Sequence, residues 1–132
     1  MSATAQAAHD RPSKQDVAAA LRAFFRIAET WKLLPEQQMT LLGQESKSTY
    51  YLWRKNQTGS LSRDTVERLS YVIGIYKALQ ILLPEQSLAD DWLHRPSSAA
   101  PFRGRAPLDR LLSGNMSDLY VIRQYLDAER GG

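Results

Sequence analysis

Apolar residues in this chain recur every three or four positions, in blocks that Gly and Pro cut short. That period lines one face of a helix, and no segment shows the two-residue alternation of a half-buried strand. The fold class expected is therefore all-α. The first block holds Val17, Leu21, Phe24, Phe25, Ala28 and Trp31, on a helix starting near Ser13 to Asp16. Leu34-Pro35-Glu36 reads as a stop and a new start, because Pro suits a first helical turn. The next helix, about Pro35 to Leu42, ends at Gly43, which enters the left-handed conformation at low cost. Ser46 is placed to cap a third helix through Lys55, and Ser62 a fourth, whose wide apolar stripe runs from Val66 to Leu82 and is closed by Pro84. Beyond it come a short helix around Leu88 to Leu93, a loop from His94 to Arg105, a one- to two-turn helix from Pro107 to Leu112 stopped by Gly114, and a last helix. That helix is expected to be capped by Ser117, with Leu119, Ile122 and Leu126 on one face.

These blocks divide the chain into a flexible arm, 1–15, a first helical domain, 16–84, and a second, 85–132. With 132 residues, a core of useful size is within reach. No cysteine is present, so neither a disulfide framework nor a thiolate metal site is expected. The arm lacks the apolar centre of a signal peptide. The greasiest run, Ala78 to Leu83, is broken by Gln80 and is far short of the ~20 residues of a membrane span. A cytoplasmic protein with no membrane contact is expected. Charge is uneven: residues 1–83 carry a balance of +4, residues 84–132 one of −1. The first half is thus the better place to meet a polyanion.

Helix, Gly, a short turn and a second helix is the spacing of a helix-turn-helix, whose second helix enters the major groove of DNA. Ser46, Lys47, Ser48, Thr49 and Tyr50 would then face the DNA, with Arg54 and Lys55 gripping the backbone. Tyr50 is expected to be exposed and Trp53 to be core. A small residue usually stands four positions before the Gly of this motif; here it is Met39.

The second half is poor in catalytic chemistry. His94 sits beside Pro96 in a loop, His9 in the arm, and no nucleophile–base set can be assembled. Asp90 and Asp91 are adjacent and would point about 100° apart on a helix, as a solvated face does. No Gly-rich phosphate loop occurs. No enzyme, cofactor or metal is expected.

Trp92-Leu93, the segment Pro101-Phe102-Arg103-Gly104-Arg105-Ala106-Pro107-Leu108, Leu111-Leu112-Ser113-Gly114 and the helix through Val121 to Leu126 together resemble the MbcA/ParS/Xre antitoxin family. Upstream, Trp53, Gly59, Leu61, Asp64 and the helix through Tyr76 resemble the middle of the same family. The likeness runs from about Ala20 to Gly132. It implies an Xre-like helix-turn-helix domain followed by a small helical toxin-binding domain.

The resemblance further implies a cognate RES-domain toxin, encoded in the same operon, that degrades NAD or transfers its ADP-ribose. The antitoxin would cover the toxin's active site with its C-terminal region and repress its own operon by binding operator DNA. On this reading Arg123, Tyr125 and Glu129 are rim contacts, while Arg130, Gly131 and Gly132 enter the pocket. The terminal carboxylate would stand in for an NAD phosphate. Arg103 and Arg105 are further candidate toxin contacts, and Phe102 an aromatic plug with Trp92. The plainer alternative for Gly131-Gly132 is a disordered end. A homodimer joined through Leu82, Leu83 and Leu88, and a larger assembly with toxin, complete the expectation. The competing class is a free-standing helix-turn-helix repressor without a toxin.

Overall fold

The computed structural model describes residues 12–131, which form seven α-helices and one 3-10 turn, with no strand among the described residues. They are α1 (Lys14–Thr30), α2 (Pro35–Leu42), α3 (Lys47–Asn56), α4 (Arg63–Leu82), α5 (Gln86–Asp91), α6 (Pro107–Leu111) and α7 (Met116–Glu129). The 3-10 turn, Trp92–His94, continues α5. Most of the arm, with His9, and Gly132 lie outside the described residues.

Local chemistry sets the ends. Ser13 and Asp16 form a reciprocal capping box at α1. The Ser46 hydroxyl accepts from the Thr49 amide, and that of Ser62 from the Thr65 amide. Gly43, at φ 66°, ends α2 in the left-handed region. The last helix departs from expectation. Its N-cap is Asn115, and Ser117 lies exposed within the first turn. No side chain caps it; the Asp118 carboxylate instead ties the preceding turn to the helix, accepting from the Ser113 hydroxyl (2.6 Å) and the Asn115 side-chain amide (3.4 Å).

One contiguous core runs through the molecule. Leu21, Phe24, Ile27 and Ala28 of α1, with Trp31 just beyond its end, pack against Leu69, Val72, Ile75, Ala78 and Leu79 of α4. The opposite side of α4 takes α7, through Leu119, Ile122 and Leu126, in the most extensive helix pairing of the described residues. Thus α4 serves both segments. Gly74, buried at mid-helix, allows the closest approach: a Cβ there would lie 1.5 Å from Arg123 Nη1, so the guanidinium rests where a side chain would be. A second tie is polar, His94 Nε2 donating to the Trp31 carbonyl at 2.8 Å.

Candidate functional site

The helix-turn-helix is α2, its turn and α3. A buried polar chain fixes how the two helices cross. Gln38 Nε2 donates to the Leu33 carbonyl at 2.9 Å, and Gln38 Oε1 accepts from the Tyr50 hydroxyl. On the other side, Thr65 Oγ1 donates to the Leu42 carbonyl at 2.8 Å, closing the end of α2 from α4. Such buried groups cost free energy unless paired, so the chain specifies one arrangement.

This corrects the expectation for Tyr50. It is fully buried, not exposed, and its ring meets Phe25 and Tyr51 edge-on. The reason is helical phase: Tyr50 lies three residues before Trp53, which is buried as expected, so both fall on one face. Tyr50 therefore holds α3 in place and presents no surface to DNA. Burial raises its phenol pKa, against the opposing pull of the Arg54 guanidinium beside it.

The outward face of α3 carries Ser48, Tyr51, Leu52 and Lys55, all exposed, with Lys47 at its start. Tyr51 and Leu52, 46% and 57% exposed, are apolar surface on a helix that elsewhere buries its aromatics. Position in the motif points to residues 46–50; the spacing from Trp53 is the signal in the sequence that brings in Tyr51 and Leu52. Ser46 is exposed but engaged as the cap, and Thr49 is half-buried. Arg54 is exposed on the flank of α3 and lines a groove with Arg22 and Arg26.

The C-terminal segment is built around three rings. Phe102, buried as expected, meets Trp92 (centroids 5.6 Å) and Tyr125 (5.3 Å) edge-on, and Tyr125 stacks on Trp92 at 6.3 Å. Edge-to-face pairs of this kind add to the gain from burial. Phe102 is delivered by a tight loop in which the Ser97 amide donates to the Arg105 carbonyl and the Gly104 amide to the Ser97 carbonyl. Closing that loop needs positive φ at two successive residues, Arg103 (51°) and Gly104 (84°). The segment is pinned by Arg110, whose Nε donates to Asp118 (2.7 Å) and whose Nη1 donates to the Pro101 carbonyl (2.8 Å). Hydrogen bonds, from Ser113 first and then from Arg110 and Asn115, lower the pKa of Asp118 below the usual carboxylate value.

The candidate contact residues of this segment separate into two groups. Arg103, Arg105, Glu129, Arg130 and Gly131 are exposed. Tyr125 is half-buried in the ring cluster, and burial raises its pKa, with a smaller push from Glu129. Arg123 lies across Gly74 and pairs with Asp127 at 3.1 Å. Gly131, at φ 87°, turns the chain off the end of α7, with open space around it.

Two stretches of the chain match known protein families. Residues 10–74 match the antitoxin Xre-like helix-turn-helix domain, and residues 78–132 match the antitoxin Xre/MbcA/ParS C-terminal toxin-binding domain. The two matches meet within α4, the helix both segments share. A protein of Sinorhizobium fredii (strain NBRC 101917 / NGR234), "Uncharacterized protein y4oB", is 49% identical over 116 residues, 88% of each chain. Both matched domains are regulatory or inhibitory and not enzymatic, and a toxin-binding domain implies a cognate toxin. Among the described residues no helix is long and apolar enough to cross a membrane. The chain belongs to the MbcA/ParS/Xre antitoxin family, and is a toxin–antitoxin antitoxin that joins an Xre-like helix-turn-helix to a toxin-binding domain.

Proposed function

We propose that this antitoxin neutralises a RES-domain, NAD-consuming toxin encoded beside it, by covering the toxin's active site with its C-terminal region. The observation that carries the reading is the toxin-binding match over residues 78–132. The exposure of Arg130 and Gly131 beyond α7 supports it, since that end is available to a partner without unfolding any helix. Gly131 carries no side chain to obstruct a narrow cleft. Arg103, Arg105 and Glu129 are the proposed rim, and Arg123 and Tyr125 shape it from behind.

DNA binding is assigned to the outward face of α3, with Lys47, Ser48 and Lys55 joined by Tyr51 and Leu52. Repression of its own operon follows from that face, and two copies are needed to read a two-fold operator. Leu82, Leu83 and Leu88 are half-buried within one copy, and Ile81 beside them is 57% exposed, so this end of α4 is the proposed dimer seam.

The test is inhibition of the purified neighbouring gene product by the full chain and by a chain ending at Glu129. The full chain should stop NAD consumption, and the shortened chain should still fold and bind but inhibit at least tenfold less well. Equal inhibition by both would sink the role of the tail. A neighbour without NAD-consuming activity would sink the toxin assignment and favour a free-standing repressor.

A further inference from the structure

Two grooves border the helix-turn-helix, and they differ in charge. One, beside the turn, carries Glu36, Glu45 and Asp64 against Lys47 and Arg68, and Arg68 is already paired with Asp64 at 2.8 Å. The other, of about 570 Å³, lies between α1 and α3 and carries Arg22, Arg26, Lys32 and Arg54 against Glu29 alone. Six arginines elsewhere pair with carboxylates. None of these four cations does so among the described residues. Four like charges around one concavity repel each other unless an anion joins them.

We propose that the groove between α1 and α3 is a second DNA-backbone site, holding phosphates of the strand that flanks the base pairs faced by α3. The proposal rests on the DNA-binding reading of α3 and extends its footprint to α1. Arg22 and Arg26 are four residues apart, about 6 Å along one helix face. That spacing lets two guanidiniums take phosphates in succession along one strand. Arg54, on the flank of α3, joins the groove to the reading face, and Lys32 closes its far end. Guanidinium forks bind phosphate oxygens in pairs, and neither carries sequence information, so the site adds affinity and register rather than specificity. The groove beside the turn, with three carboxylates against two cations, is the less favourable course for the strand.

The experiment is titration of the full chain, alone and with its toxin, onto a duplex from its own promoter and onto an unrelated duplex, over a range of KCl concentrations. The double variant R22Q/R26Q alters only exposed side chains, and a thermal melt checks its fold. It should lower the slope of log affinity against log salt by nearly two units, at about 0.9 per lost phosphate contact. The loss should be the same fold on both duplexes. Glu29→Gln removes the groove's one carboxylate and should tighten binding to both, a gain that misfolding does not produce. Wild-type binding with an unchanged slope in R22Q/R26Q overturns the groove and leaves the α3 reading standing. No DNA binding by the wild type, alone or with toxin, overturns both. Loss of toxin capture with DNA binding intact overturns the proposal and gives the groove to an acidic face of the toxin.

Discussion

The two halves of the molecule are held by different means. The helix-turn-helix half closes over large buried side chains, Trp31, Tyr50 and Phe24 among them, and its polar groups are few and interior. The C-terminal half has two short helices, α5 and α6, and depends on three rings and on Arg110 and Asp118, which are partly open to solvent. It borrows the rest of its core from α4. A small unit buries too little surface to be stable alone, so sharing a helix is a way to reach stability without a second full core. The consequence is that the toxin-binding and helix-turn-helix matches share one core among the described residues, and the two halves are expected to unfold together.

Several substitutions would break or sharpen that contrast. Phe102→Ala should cost the most, about 3–4 kcal/mol, since it empties the centre of the ring cluster. Urea unfolding should still show one transition; two separate transitions would mean the halves fold independently. Gly59→Ala should cost about 1–3 kcal/mol, because a Cβ there would lie 2.3 Å from the Trp53 indole nitrogen, and a buried indole cannot swing aside. Gly74→Ala meets only the far end of the long Arg123 side chain, which can shift at the cost of its bond to Asp127, and should cost less. Tyr50→Phe should cost about 1–2 kcal/mol, by leaving Gln38 Oε1 buried without its donor. A loss near zero would show that the polar chain does not fix the helix crossing.

The smallest effect is tied to pH and confined to the C-terminal half. The pKa of Asp118 is lowered on folding, so its contribution is complete above the usual carboxylate value of 3.8 and is lost as pH falls through the lower folded value. In Asp118→Asn that part of the acid dependence should disappear from a melting series between pH 5 and 2. An unchanged profile would contradict the role given to the carboxylate.

How much of this was legible in the sequence follows from the range of each interaction. Ser13, Pro35, Gly43, Ser46, Ser62 and Pro107 act on their own turn of chain, and the helices begin and end where these residues put them. Phe102 and Trp53 were readable as core because large rings rarely stay exposed. Tyr50 is hidden from a reading by position because a place near a helix start suggests a DNA contact, while its three-residue spacing from Trp53 puts it on the buried face. Asn115 rather than Ser117 stands at the N-cap of α7, where the bonds of Ser113 and Asn115 to Asp118 hold the turn, and bonds of that kind leave no trace in the helical period. Arg68, reaching from Asp64 to the Gly114 carbonyl at 3.0 Å, and Arg110, reaching Pro101, left no periodic trace. The basic groove was equally hidden: Arg22 and Arg54 are 32 positions apart and meet only when α1 and α3 pack.

The central claim, that the C-terminal half exists to silence a NAD-consuming partner, is tested most directly by cellular NAD during co-expression with the neighbouring gene. The account predicts that NAD falls and growth stops with the neighbour alone, and that both recover when this chain is supplied. A neighbour that leaves NAD and growth untouched, while this chain still binds its own promoter, would contradict it.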